Sequence, residues 1–591
     1  MIVKMKKLTL FCTQKKCNET LQILRDLKVL HVENINKPNN FSVDNAENEL
    51  NNLIKSSDIL NSFKSSNPTS KNINDLSSKT LDISVNLNTL DDQKTDLKNE
   101  IKRIENFNNF CPKKIQKLKN ENIFIKLYHY NKKDKFDVPD NVKFIIINQN
   151  KNDIFSIAIS NIDFLLPISE TILPTKSLDE LKNDLLLIDK KIEENKSILC
   201  EYACHKEKLD NEQINAKDKF NFEYIKGGMC QLDDISYIQG YIPYNNEKDI
   251  LDAAKKYGWG YKITDITDSD NPPTFLKNPK WVDPIKAVFS VIGVVPGYKE
   301  LDVSVVFLLF LSIFFGILIG DAGYGLLFIL ITFLAQIKNR HVAKYIFHLL
   351  YLMSSFAVIW GALTANYFGI TFKSTPLIID ALSNNWLIGY GDKDIAANNV
   401  MFLCFIIATI HLIIGHLWNF IRKINSWQSL IDLGWIFSTI TMFYAVGYMV
   451  LNNPFPPMMI WFLITGISLI TLGLILQKSY FGLVTLVLDV ISNFVDIISY
   501  VRLYAVGAAS YAIANAFNTM AIEAYGSNGI ILGSIIAALT LFGGHTLNIL
   551  LGAMGILVHG IRLNTLEFSS HAGIQWGGVH FKPFKKETEN I

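Results

Sequence analysis

Residues 489–518 read DVISNFVDIISYVRLYAVGAASYAIANAFN. The run is apolar enough to lie in lipid, yet Arg502 stands in it, sixteen residues past the start of an apolar segment over 486–523. A charge at the middle of a bilayer costs about 2.5–3.5 kcal/mol even on lenient insertion scales. This one is too deep to reach an interface by extending its side chain. Arginine also keeps its proton in any plausible surrounding, so it cannot itself pass one on. It can hold a fixed positive field and pair with a carboxylate. Ala505, Ala509, Ala512 and Ala516 follow at helical spacing and share its face. A smooth stripe of small side chains lets another helix come close. The pattern fits a surface across which a partner slides; static packing with Arg502 on a fixed carboxylate is the competing reading.

On the other side of Arg502, Asp489, Ser492, Asn493, Asp496 and Ser499 keep one helical face polar. Such a face suits the wall of an aqueous half-channel, or equally a polar seam against a neighbouring helix. Residues 543–568, GGHTLNILLGAMGILVHGIRLNTLEF, repeat the theme. Gly552, Gly555, His559 and Arg562 fall on one face, a small-residue stripe that ends in charge. His559 is suited to titrate near neutral pH and pass protons; a structural group that holds a carbonyl is the competing and commoner reading. His545 and Asn548, with Glu523 in the loop before them, are candidates for lining an outward path. His411 and His416 read as packing groups, Asp321 and Asp432 as structural or capping groups near span ends.

Working outward, the chain divides by charge. It has 591 residues, 57 Lys+Arg and 55 Asp+Glu, and only 13 and 12 of these follow Leu301. The expectation is therefore a cytosolic domain over 1–301 and a lipid domain over 302–591. The fold class expected of the second is an α-helical polytopic membrane domain of eight transmembrane helices. They are placed at about 303–319, 322–337, 344–366, 399–421, 431–451, 458–476, 486–523 and 530–566. The last two are too long for a bilayer: at 1.5 Å per residue the seventh would run roughly 57 Å, so they must tilt, bend or protrude. Lys338, Arg340, Lys344, Arg422, Lys423, Lys478, Lys582, Lys585 and Lys586 fall on one side, Lys373 and Lys393 on the other. That asymmetry predicts both termini in the cytosol.

The first half reads as two α/β lobes joined by an antiparallel coiled coil. Strands are expected over Val3–Phe11 and Val29–Ile35, with a helix over Asn18–Leu27 between them. The helical arms cover about Asp44–Glu105 and Ser177–Leu209, the first interrupted by a loop at Ser65–Asn72. Seven scattered cysteines suggest no disulfide framework. Cys200, Cys204 and His205 offer too few ligands for a metal site, and helix packing is the better reading. No Walker-type loop is present, so neither a directly bound nucleotide nor any other cofactor is expected, and nothing points to nucleic acid.

SYVRLYAVGAA around Arg502 and HGIRLNTLEF around Arg562 resemble the signatures of the a/I subunit of V- and A-type ATPases. PPTFLKN, FFGILIGDAGYG, NYFGI and FKPF are similar to segments of that family in the same order, as are MIVKMKKLTL and VLHVENI. The resemblance implies a membrane stator. Its N-terminal half would bind peripheral stalk subunits of the E/G type. Its C-terminal half would cup a rotor ring of c/K proteolipids in the plasma membrane of a bacterium or archaeon. Arg502, assisted by Arg562, would release an ion, H⁺ or Na⁺, from each ring carboxylate between two offset half-channels. ATP chemistry would lie in partner subunits. The chain departs from eukaryotic members at Gly552, where they carry glutamate. Two other classes remain open on the residues alone: a secondary transporter with a cytosolic regulatory domain, and a non-translocating scaffold.

Overall fold

The computed structural model describes residues 2–586, apart from Ile35, Lys37, Asn39, 65–74, Lys135, Asp233, His341, 372–394, Asn528 and Gly529. The loop expected at Ser65–Asn72, and Lys373 and Lys393, lie outside the described residues. Contacts divide the chain into two units. One comprises 1–11, 27–33 and 239–584, the other 12–26, 34–238 and 585–591.

The second unit is built on helices α1 (Cys17–Leu27), α2 (Phe41–Asn61), α3 (Leu76–Ile104), α4 (Pro112–Asn120), α5 (Leu178–Tyr202) and α6 (Lys206–Gly227). Helix α5 starts at a capping box. Ser177 Oγ accepts from the Glu180 amide, and the Glu180 carboxylate accepts from the Ser177 amide at 2.8 Å. A 3-10 turn at Ala203–His205 ends it, so the arm expected to run through Leu209 is two helices. Helices α2 and α6 run antiparallel, because Glu49 pairs with Lys219 at 2.7 Å and Ser57 bonds Asp210 at 3.2 Å. Helix α3 packs on α5, with Lys94 on Asp189. Leu53, Leu60, Leu76, Leu199, Leu209 and Ala216 form the apolar seam. Strands β3 (Phe124–Asn131), β4 (Lys143–Gln149), β5 (Asp153–Ser160) and β6 (Glu170–Thr171) make an antiparallel sheet in the order β4-β5-β3-β6. It is closed over Tyr128, Val142, Ala158, Phe164 and Leu166.

The first unit opens with β1 (Met5–Thr13), whose even alternation buries Leu8 and Leu10. With β2 (His31–Glu33), β8 (Ile235–Pro243) and β9 (Gly260–Thr264) it belongs to a sheet ordered β2-β8-β1-β9; β7 (Cys230–Leu232), which falls in the second unit, pairs with residues 235–237 there. Helices α7 (Glu247–Tyr257) and α8 (Ile285–Ile292) lead to the apolar half.

Among the described residues six helices are long and apolar enough to cross a membrane. They are α11 (Lys344–Leu363), α12 (Ile395–Arg422), α13 (Gln428–Leu451), α14 (Met458–Leu476) and the two long assemblies Tyr480–Ser527 and Ile530–Ala572. Two more apolar helices are shorter, α9 (Ser304–Ile319) and α10 (Ala322–Lys338). They meet at Gly320, whose φ of +65° suits glycine. Asp321 then caps α10 by accepting from the Tyr324 amide at 3.1 Å, which is the capping role its position suggested. Helix α11 crosses here so closely that a Cβ on Gly361 would lie 1.9 Å from the Ala322 nitrogen.

Neither long assembly is one straight helix. The first breaks at Tyr500 into α15 (Tyr480–Ser499) and α16 (Val501–Ser527). The second begins as α17 (Ile530–Gly555), loosens into π-helical turns at Ile556–Gly560 and Leu563–Phe568, and closes with α18 (Ser569–Ala572). One continuous apolar core runs from Leu276 to Ile574 through all of these elements.

Candidate functional site

The break at Tyr500 and the π turns face one another. Tyr500 is fully buried, and its hydroxyl bonds His411 Nδ1 at 2.8 Å. The His411 ring is sandwiched between Phe310 and Phe568, with centroids at 3.9 and 4.3 Å. His411 is thus a packing group, as its sequence context suggested.

Two residues past the break, Arg502 donates through Nε to the Ser499 carbonyl (3.0 Å) and through Nη2 to Glu567 Oε1 (2.9 Å). Arg562 approaches the same oxygen through Nε at 3.6 Å. The Glu567 side chain is 5% exposed, against 24% for Arg502 and 53% for Arg562. Two cations thus share one buried carboxylate, while the arginine side remains open. Glu567 Oε2 is buried and has no hydrogen-bond partner.

The small-residue faces differ in exposure. Ala505, Ala509, Ala512 and Ala516 are all exposed along α16. Gly552 and Gly555, expected on the same sliding surface, are buried. A Cβ at Gly552 would come within 2.8 Å of Ile319, and one at Gly555 within 3.2 Å of Val506. The glycines therefore let α17 pack closely against Ile319 of α9 and Val506 of α16. With Ala505, Ala509 and His559 they line a groove of about 400 Å³. His559 is half-buried in the first π turn, its Nδ1 unpaired.

The polar stripe on α15 also divides. Asp489 and Ser492 are exposed, and Thr485 donates to Asp489 at 3.1 Å. Asn493 is buried and donates to Thr439 Oγ1 at 3.0 Å, a seam between α15 and α13. Asp496 bonds His571 Nε2 at 3.0 Å. Ser499 contributes its carbonyl to Arg502. One stripe thus supplies both an open edge and a packed seam.

Within α16 and α17 a second polar cluster forms. Asn548 donates to the Tyr324 hydroxyl (3.1 Å) and to the Ser510 carbonyl (3.0 Å). The Tyr324 hydroxyl lies 2.6 Å from His545 Nδ1, and His545 Nε2 lies 3.2 Å from Asn518 Oδ1. Asn518 Oδ1 can only accept, so the proton of a neutral His545 sits on Nε2 and Tyr324 donates to Nδ1. Glu523 stands exposed further along α16, its carbonyl accepting from Ser527 Oγ. Among the described residues no group of three or more His, Cys, Asp or Glu is placed to hold a metal ion.

No protein-family model matches the chain. The V-type ATP synthase subunit I of Borreliella burgdorferi is 30% identical over 619 residues, which cover 99% of this chain and 100% of that one. The chain belongs to the subunit I family of V/A-type ATP synthases. Subunit I 1 of the V-type ATP synthase of Treponema pallidum is 31% identical over 60% of this chain and 58% of its own. The A-type subunit I of Methanocaldococcus jannaschii is 27% identical over 70% of this chain and 64% of its own. Among solved structures, the cytoplasmic N-terminal domain of a subunit I, homologue of subunit a of V-ATPase, matches 44% of this chain and all of that one. The identity is 13% and the TM-score 0.23, too low to bear on the fold. As a member of the subunit I family the chain is one subunit of an ATP synthase complex, not a catalyst by itself, and its apolar helices make it a multi-pass membrane protein.

Sequence reasoning about this family member singled out both arginines but passed over Glu567, Tyr324, Asn518 and His571. Glu567 had a visible signal, a lone carboxylate inside an apolar run that also holds Arg562. Tyr324 and Asn518 gave none, since ordinary aromatic and amide side chains abound in apolar helices.

Proposed function

We propose that this chain is the ion-translocating stator of its complex. In this reading 302–591 spans the membrane eight times, with α9 and α10 as the short first pair, and both termini are cytosolic. Residues 1–301 form lobes joined by an antiparallel coiled coil that holds E/G-type peripheral stalks. The alanine face of α16 meets a rotor ring of c/K subunits in the plasma membrane of a bacterium or archaeon.

The observation that carries the reading is Arg502, a guanidinium in an apolar helix that stays 24% exposed beside four exposed alanines. A fixed cation lowers the pKa of an arriving ring carboxylate and expels the bound ion. It also blocks a direct leak between half-channels. Arg562, on the same carboxylate, assists. Asp489, Ser492 and Asp496 border the inner path, with His559 alongside the arginines. His545, Asn548 and Tyr324 border the outer path, with Glu523 towards its exit.

The Arg502–Glu567 pair within one chain favours a second reading, a scaffold in which the arginines serve structure. One experiment separates the two. Arg502→Gln in the assembled complex, reconstituted in vesicles, is expected to abolish ATP-driven ion pumping while the complex still assembles. Unchanged pumping would leave the scaffold reading standing.

A further inference from the structure

We propose that Asp432, His416, His571 and Asp496 form a proton relay on the inner path, and that this relay fixes the coupling ion as a proton. The proposal deepens the stator reading and rests on it.

Four helices bring these groups together. His416 lies on α12, Asp432 on α13, Asp496 on α15 and His571 in α18. His416 Nδ1 faces Asp432 Oδ1 at 3.7 Å. His416 Nε2 meets His571 Nδ1 at 2.7 Å, and His571 Nε2 meets Asp496 Oδ2 at 3.0 Å. The side chains of His416, Asp432 and His571 are 7%, 12% and 8% exposed, whereas Asp496 is 22% exposed. The two histidines are therefore enclosed between two more accessible carboxylates, of which Asp496 is the more open. The Trp435 ring stacks along His416, and Asn419 donates to the His571 carbonyl, so both histidines are held in place.

The hydrogen bonds fix the resting protons. An ionised Asp496 oxygen can only accept, so His571 carries its proton on Nε2. Its Nδ1 is then an acceptor, and His416 must donate from Nε2. That leaves His416 Nδ1 a bare lone pair, and it is buried without a hydrogen-bond partner, as is Asp432 Oδ2. A bare nitrogen facing a carboxylate oxygen at 3.7 Å is repulsive until a proton sits between them. A static packing cluster has no use for that deficit; a relay needs it.

The transfer balances. A proton taken up by the Asp432 carboxylate moves to His416 Nδ1. His416 gives its Nε2 proton to His571 Nδ1, and His571 gives its Nε2 proton to Asp496. One proton enters and one leaves. Both rings end with the proton on Nδ1, so each must return to the Nε2–H tautomer before the next proton can pass. A hard metal cation needs a shell of oxygen ligands, and here two imidazole nitrogens stand 2.7 Å apart across the path. Asp496 is six residues before Arg502 and His571 four after Glu567, so the outlet is at the arginine site.

The test uses the whole complex in liposomes, following lumen acidification and uptake of radioactive sodium during ATP hydrolysis. The unaltered complex is expected to acidify the lumen without sodium and to take up none. His571→Gln and His416→Gln are expected to slow acidification about tenfold or more per assembled complex, and added imidazole to restore part of it. Full acidification in His571→Gln, sodium uptake by the unaltered complex, or loss without imidazole rescue and with lowered thermal stability would each overturn the relay. If the histidine variants do not assemble, Asp432→Asn carries the same expectation and the same overturning result. Arg502→Gln run in parallel keeps the two ideas apart. Normal pumping in His571→Gln with loss in Arg502→Gln removes only the relay, whereas normal pumping in Arg502→Gln removes the stator reading with it.

Discussion

Arg562 and Glu567 stand five residues apart, yet Nε and Oε1 are 3.6 Å from each other. In an α-helix a five-residue step turns the side chain about 140° away, because each residue advances 100°. The π turn at Leu563–Phe568 is what returns Glu567 to the side of Arg562, and Arg502 then completes the triad from α16. Single π turns inside helices are frequent at functional sites. Here the turn sets two positive groups on one buried carboxylate and leaves neither cation buried.

That sharing predicts how the triad responds to damage. Arg502→Ala leaves Glu567 charged and buried with only the longer Arg562 contact. Breaking a buried pair by removing one partner costs about 3–5 kcal/mol, and the remaining arginine offsets part of it. The double variant Arg502→Ala/Glu567→Gln removes the stranded charge as well. It is expected to unfold at a higher temperature than Arg502→Ala in detergent micelles. An equal or lower midpoint would mean that Glu567 is not held by the arginine.

A second prediction concerns the close crossing at Gly361. A methyl group there would overlap the Asp321–Ala322 peptide, which is backbone and cannot swing aside. Overpacking typically costs about 1–3 kcal/mol, and Gly361→Ala should sit at or above the top of that range. Thermal unfolding in detergent measures it. Gly526→Ala, where nothing lies within 4 Å of the new carbon, is the control expected to leave the midpoint unchanged.

How much of this was legible in the sequence follows the same geometry. The apolar segments, the turn at Asp321 and the alanine face on α16 obey a regular period, and the structure has them where that period puts them. Glu567 was missed because a 3.6-residue period cannot join it to Arg562. The burial of Gly552 and Gly555 was missed because a small-residue stripe has two uses, a sliding face or a close contact, and only the positions of Ile319 on α9 and Val506 on α16 decide between them. The division of the α15 stripe at Asn493 likewise depends on Thr439, fifty-four residues away in the chain. His416 and His571 lie 155 residues apart in the chain, so neither looked like half of a pair.

The C-terminal tail supplies a prediction about acid. The Lys582 amide, which can only donate, bonds His31 Nδ1 at 3.0 Å, the ring stacks on Phe581, and the Phe584 amide bonds the Leu30 carbonyl. Burial, ahead of a smaller opposing contact with the Lys582 carbonyl, lowers the His31 pKa below its ordinary 6.5. The unfolded segment therefore binds more protons than the folded one. The stabilisation from neutral His31 is complete above about pH 6.5 and is lost as pH falls through the lowered value. Amide hydrogen exchange at residues 579–584, corrected for intrinsic rates, should rise between about pH 7.5 and pH 5.5. His31→Gln should remove that dependence. Exchange that ignores pH in the unaltered chain would sink the assignment.

The two faces of α16 offer the sharpest separation between structure and rotor contact. Ala512 is exposed, while Ala514, two residues on, is 1% exposed and abuts Gly369. Ala514→Leu forces three extra carbons into a filled interior and should lower stability by about 1–3 kcal/mol. Ala512→Leu extends from an exposed position, and its effect on stability should stay within about 0.5 kcal/mol. Under the stator reading, however, the leucine stands where ring helices pass, so ATP-driven pumping by the assembled complex should fall several-fold with the chain's own melting temperature unchanged. A scaffold whose alanine face merely touches lipid would tolerate Ala512→Leu in both assays. Pumping at the unaltered rate would therefore count against a rotor on this face, whatever the behaviour of Ala514→Leu.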